Sequence, residues 1–286
     1  MKPPPFEYHK PTTISKLLEL LEAHSHDARI LAGGQSLMPS MNFRLSRPEH
    51  VIDINLIEEL NQLNVRNNKL VVGALTRHAT FESPVIDDPL GSLLATVCQH
   101  LAHWPIRVRG TFAGSLAHAD PAAEWCLLEV ALDADIIIRS SQGERAVKAS
   151  EFFKGGFQTA LTPNEVIVEV HLPLLGENAR YGFMEISRRT GDFALAMVLS
   201  IMWLDSQHQI ERASVAVGGV QSYPIRVFAA EENLANAAPS KDLFEVTSEI
   251  VAQSVNPMED IHGDSEFRRD LARTLTFRSL ERTLDQ

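Results

Sequence analysis

Residues 30–45 read ILAGGQSLMPSMNFRL. A short apolar stretch of strand character runs straight into Gly33 and Gly34, then Gln35 and Ser36, before an apolar pattern that can open a helix. Glycine has no Cβ, so paired glycines after a strand let backbone N–H groups line a concavity and let a ligand approach to hydrogen-bond distance. Such a loop suits a pyrophosphate. Gln35 and Ser36 add side-chain donors, and a helix starting near Ser36 would add free amides. The plainer reading, a tight turn and nothing more, stands beside it, because glycine pairs are common loop punctuation. The stretch is not a Rossmann fingerprint, which needs G-x-G-x-x-G, nor a P-loop, which needs G-K-[ST].

Outward from that turn the chain alternates helix and strand. TTISKLLELLEAHS before it predicts a helix capped by threonine, ARILA a strand entering the turn, and HVIDI and KLVVGA further strands. PLGSLLATVCQHLAHW reads as a helix, and PAAEWCLLEVALDA as another with Pro121 at its first position and Asp120 as its N-cap. PIRVRGTFAGSLAHAD between them shows no period and reads as a long loop. ADIIIRS and EVIVEVHLP are strands, with Gly155–Gly156 in a loop between them. The character changes near residue 176. YGFMEISRR, FALAMVLSIMWLD and ERASVAVGGV suggest an antiparallel meander whose middle member reads equally as a buried helix, and the last 60 or so residues are mainly helical. No internal repeat or low-complexity segment is present.

Composition bounds the function. With 286 residues and 44% hydrophobic content the chain can form a substantial core and two domains. A net charge of −11 argues against nucleic-acid or anionic-membrane partners, which require a basic face. Cys98 and Cys126 are too few for an iron–sulfur cluster or a disulfide framework and read as reduced packing residues. MKPPPFEYHK lacks the apolar core of a signal peptide, and no apolar run reaches membrane-span length, so a cytoplasmic protein is expected.

RGTFAGSLAHADPAAE, residues 109–124, is a second stretch rich in small and hydroxyl residues. Two such loops can clamp one extended ligand, with Thr111 and Ser115 donating, Gly114 permitting close approach, and Asp120 and Glu124 accepting from hydroxyls or amines. AGGQSLMPSMNFRLSRPEHVIDI and IRVRGTFAGSLAHADPAAE together, with RRTGDFALA as a third segment, resemble the medium, FAD-binding subunit of the molybdenum hydroxylases. The resemblance covers nearly the whole chain.

That resemblance implies an α+β fold: a vanillyl-alcohol-oxidase (PCMH-type) FAD-binding domain over 1–175, made of two α/β subdomains at about 1–55 and 56–175. A C-terminal domain of antiparallel sheet and helices would follow over 176–286. It implies that Ile30, Leu31, Ala32, Gly33, Gly34, Gln35, Ser36 and Leu37 wrap the FAD pyrophosphate, that Thr111, Gly114, Ser115 and Ala117 complete the clamp, and that Asp120 and Glu124 meet the adenosine side. Ile167, Leu101, Ala102 and Phe193 would lie near the cofactor's apolar surfaces. It implies an electron-transfer role, no catalytic residue and no metal in this chain. The partners would be a small subunit with two two-iron clusters and a large molybdopterin subunit in a dimer of heterotrimers, besides an external electron acceptor.

The chain departs from the family pattern at Ala113, where a second glycine is usual, at Val108, and at Met184–Glu185, where relatives often carry lysine. His100, His103, His118 and Asp120 offer no full ligand set for zinc, and the pairs Arg107/Arg109 and Arg188/Arg189 suit carboxylates or carbonyls across subdomains. Two other functions fit these residues: a stand-alone FAD-dependent oxidoreductase, and a scaffold of the same fold without flavin.

Overall fold

The computed structural model describes residues 2–285. Strand β1 (Glu7–His9) leads into helix α1 (Ile14–His24), whose cap Thr13 accepts from the Lys16 amide at 3.2 Å and whose Ile14, Leu17 and Leu21 are buried. Strand β2 (Ala28–Leu31) enters the glycine turn, a short helix α2 (Leu37–Asn42) leaves it, and β3 (His50–Asp53) closes a parallel sheet of order β1-β3-β2.

The next unit is an antiparallel sheet with helices inserted. Strands β4 (Leu63–Arg66) and β5 (Lys69–Gly73) precede helices α3 (Pro89–Cys98), α4 (Trp104–Arg107), α5 (Phe112–His118) and α6 (Glu124–Leu132). Strands β6 (Asp135–Ser140) and β7 (Gly143–Lys148), the turn of helix α7 (Ala149–Phe152) and the ribbon of β8 (Phe153–Gly155) and β9 (Gln158–Thr159) follow. Strand β10 (Val166–Pro173) then runs into the middle of the sheet, giving the order β4-β5-β10-β6-β7.

After residues 174–178, β11 (Ala179–Ser187), β12 (Ala194–Leu204), β13 (Ile210–Gly218) and β14 (Ile225–Arg226) form an antiparallel sheet in sequence order. Helices α8 (Phe228–Leu234), α9 (Lys241–Ser254) and α10 (Ser265–Arg282) complete the chain. Strand β12 is buried on both faces. Met197, Leu199, Ile201 and Trp203 join the main core, while Ala196, Val198 and Met202 join a second core with α8, α9 and α10. The sequence left strand and helix open for this segment, because double-sided burial removes the period-two alternation.

Three local expectations are corrected. The unperiodic stretch 105–120 holds α5 and most of α4, each too short to show a helical repeat. Helix α6 starts at Glu124 rather than Pro121, and Asp120 instead caps the preceding turn, accepting from the Ala122 amide at 2.9 Å. Helix α3 ends at Cys98, so His100 and His103 share no helical face.

Candidate functional site

The glycine turn and the segment before α5 meet backbone to backbone. A Cβ on Gly33 would lie 2.6 Å from the Arg109 carbonyl oxygen and 2.7 Å from Gly110 Cα, so only glycine lets the loops touch there. Gly34 turns the chain with φ of +73°, the left-handed conformation that side chains disfavour. Among the described residues the amides of Gly33, Gly34, Gln35 and Ser36 donate to no protein acceptor. The Gln35 side chain donates one of its two N–H groups within the turn, to the Gly33 carbonyl at 3.0 Å. Ser36 caps α2 without a side-chain bond, which leaves its hydroxyl free.

A polar chain ties the two loops. The Tyr8 hydroxyl donates to Asp53, Asp53 Oδ1 accepts from the Asn55 side chain at 2.6 Å, and Asn55 also donates to the Ala32 carbonyl at 2.9 Å. Arg77 then bridges the end of β3 and the segment before α5, donating to Asn55 Oδ1 at 2.5 Å and to the Arg109 carbonyl. Beneath it His78 is buried, with Trp125 Nε1 donating to its Nδ1 at 2.9 Å. Burial, then the Arg77 and Arg107 charges, pushes His78 down to about 4. The ring is neutral and carries its proton on Nε2.

These elements enclose a cleft of about 680 Å³ lined by both loops, Ile167 of β10 and the Gly191–Phe193 turn between β11 and β12. The residues expected to bind the cofactor all line it except Leu31, whose Cδ1 lies beneath Gly34. Thr111 caps α5, its Oγ accepting from the Gly114 amide at 3.2 Å, so the Gly114 N–H is spent on the cap while the Thr111 O–H stays free to donate. Ala113 lies inside α5, is buried and lines the cleft, and it is not among the residues with positive φ, so its methyl imposes no backbone strain. Phe193 is 70% exposed at the mouth, whereas Leu101 is buried. Burial and the nearby Asp120 push Glu124 up to about 7, despite the opposing pull of its own backbone amide.

Behind the cleft, Glu185 Oε2 is buried without a hydrogen-bond partner, 3.8 Å from His100 Nδ1. Burial first, then the Glu124 charge, pushes Glu185 up to about 9, so it is protonated at neutral pH. His100 is pushed down by burial, and the two do not form an ion pair.

The family model described as "FAD binding domain in molybdopterin dehydrogenase" matches residues 4–175, and "CO dehydrogenase flavoprotein C-terminal domain" matches residues 181–283. The chain belongs to the FAD-binding medium-subunit family of the xanthine and carbon monoxide dehydrogenases. Over 284 residues it is 38% identical to the 6-hydroxypseudooxynicotine dehydrogenase complex subunit alpha of Paenarthrobacter nicotinovorans, covering 99% of this chain and 96% of that one. It is 36% identical to the caffeine dehydrogenase subunit beta of Pseudomonas sp. (strain CBB1), across 100% and 97% of the two chains. A chain of the carbon monoxide dehydrogenase of Hydrogenophaga pseudoflava superposes with a TM-score of 0.95 at 33% identity, covering 100% of this chain and 99% of that one. Quinoline 2-oxidoreductase from Pseudomonas putida 86 gives 0.93 at 33%, with the same coverage.

The medium-subunit cofactor is FAD, and the residues present fit it. Four consecutive unpaired amides face a cleft large enough for a whole cofactor, and acidic groups sit away from them toward Asp120 and Glu124. Asn55, Arg77 and His78 were missed from sequence. None belongs to a repeating pattern, and their roles come from contacts across subdomains that no local signal encodes.

Proposed function

We propose that this chain is the FAD-bearing electron-transfer subunit of a molybdenum hydroxylase. It would pass electrons from the two-iron clusters of a small partner to an external acceptor, while a large molybdopterin subunit oxidises the organic substrate. Residues 1–175 form the FAD-binding domain, in two parts at about 1–55 and 56–175, and 176–286 the C-terminal domain. The observation that carries the reading is the cleft itself: two loops in backbone contact, one offering four free amides, the other free hydroxyls and acidic acceptors. The amides of Gly33 to Ser36 hold the pyrophosphate, with Thr111 and Ser115 hydroxyls donating beside them. Asp120 and Glu124 accept from ribose hydroxyls. Leu101, Ala102, Ile167 and Phe193 exclude water from the apolar ring system. FAD, when bound, exchanges electrons singly or in pairs, which is what a relay between one-electron clusters and an acceptor needs.

The test is spectroscopic. The purified full chain should carry stoichiometric FAD that dithionite bleaches, and it should form a complex with co-expressed small and large subunits. In that complex the organic substrate should bleach the flavin, and with the isolated chain it should not. A chain that never takes up flavin, or one reduced by substrate alone, overturns the reading.

A further inference from the structure

Three histidines, two from strands of the first sheet and one from helix α1, converge outside the lining of the cleft. His9 ends β1, His24 ends α1 and His50 opens β3. One ring nitrogen from each lies within 4.8 Å of the others. His9 Nε2 and His50 Nδ1 are 3.0 Å apart, and the His24 ring stacks on His50 with centroids 3.8 Å apart. Glu7 adds a carboxylate with one oxygen 3.7 Å from His9 Nε2 and the other 3.7 Å from His50 Nδ1. Side chains alternate across a strand, so Glu7 and His9 share a face, while Tyr8 turns to Asp53. The two histidine side chains nearest the carboxylate are only 14% and 16% exposed.

Ligand atoms around a tetrahedral zinc, with bonds of about 2.0–2.1 Å, stand about 3.3 Å apart. The His9–His50 nitrogens are already at that spacing, and the carboxylate is within a few tenths of an ångström of it. Rotation of the His24 imidazole, on the last residue of its helix, closes the set. Hydrogen bonding alone uses the cluster poorly. The His9–His50 hydrogen bond engages one nitrogen of each ring, and His24 adds a stacked ring. We propose that Glu7, His9, His24 and His50 form a binding site for a divalent zinc-class metal. Four protein ligands leave no open position, so the site is structural: it staples the three-residue edge strand β1 to β3 and to the end of α1. The tautomers follow, with His9 binding through Nε2 and His50 through Nδ1, each keeping its proton on the other nitrogen. The strands are parallel, with His50 paired to Glu7 and Ala28 at one end and Leu31 paired to Asp53 at the other, beside the glycine turn. None of these four side chains lines the cleft, so the proposal is independent of the flavin role.

The experiment uses the full chain stripped with a chelator and titrated with Zn2+ against a chromophoric competitor, with Co2+ as a spectroscopic stand-in. A single equivalent should bind, raise the thermal midpoint, and with Co2+ give the visible absorption of a tetrahedral centre. His9→Gln, His24→Gln and His50→Gln should each weaken binding by about tenfold or more, the loss that even outer-sphere changes produce at metal sites. They should leave flavin content unchanged, and His171→Gln, in another sheet, should not alter zinc binding. His24→Gln, at a helix end, keeps the test sound if a strand variant misfolds, which circular dichroism would reveal. No saturable zinc binding, or binding undiminished by His24→Gln in the folded chain, overturns the proposal.

Discussion

At Gly33 and Gly34 adjacent glycines do different work. Gly33 is required by space, since a methyl there collides with the backbone of Arg109 and Gly110, which cannot swing aside. Gly34 is required by conformation, with its nearest contacts the movable side chains of Leu31 at 3.0 Å and Met38 at 3.3 Å. Gly33→Ala should push the two loops apart and remove FAD, whereas Gly34→Ala should cost about 1–2 kcal/mol of left-handed strain and retain flavin at reduced affinity. Flavin stoichiometry and thermal midpoints of the two variants check this, and equal flavin retention would contradict it. Arg77 extends the point. Arg77→Lys keeps the charge but cannot span Asn55 and the Arg109 carbonyl together, so it should cost roughly 1.5–3 kcal/mol and lower FAD affinity. An unchanged flavin dissociation constant would show that the bridge does not position the loops.

At the scale of elements, two buried acids set a pH dependence. Glu129 lies in the middle of α6, fully buried with neither carboxylate oxygen hydrogen-bonded, and burial pushes its pKa well up. Glu185, on β11, is pushed up to about 9 from an ordinary 4.5. Between those values the folded chain holds the Glu185 proton and the unfolded chain has released it, so stability falls as pH rises through the window and is indifferent below it. Glu185→Gln and Glu129→Gln should therefore each stabilise the protein by about 1–3 kcal/mol at the alkaline end and change little at the acid end. Denaturation midpoints measured at both ends decide it, and a gain of equal size at both would refute the protonation argument.

The same elements show what was legible in the sequence. Helix α1, the strands flanking the glycine turn and the C-terminal helices follow from spacing and caps that act within a few residues. The α4–α5 region did not, because its helices are brief and are stabilised by contacts such as the Phe112 amide donating to the Thr76 carbonyl at 2.9 Å. Most of the expected cleft positions came from two motifs; the Asn55–Arg77 bridge that joins those motifs did not. Glu185 stood out only as a departure from the family pattern, and its burial becomes visible once β11, through Phe183, is seen packed against His100.

At the scale of the molecule, the cleft is assembled from the regions of all three larger sheets, and the C-terminal unit supplies its mouth through Gly191, Asp192 and Phe193. The backbone there packs closely on the segment that follows α3: a Cβ on Gly191 would lie 2.5 Å from the His103 ring and 3.0 Å from the Ala102 carbonyl oxygen. Phe193 itself is 70% exposed and joins neither core, so packing does not explain an aromatic at this position. Removing an exposed side chain changes stability by no more than about 0.5 kcal/mol. Phe193→Ala should therefore leave the thermal midpoint of the flavin-free chain where it is, while opening the cleft mouth to water. Flavin absorption should shift toward that of the free cofactor, and FAD should dissociate faster. Phe193→Tyr or Phe193→Trp should restore both, since each keeps a ring over the cleft. If Phe193→Ala lowers the midpoint and leaves the flavin spectrum and dissociation rate untouched, the residue belongs to folding, and the mouth of the cleft is closed by something else.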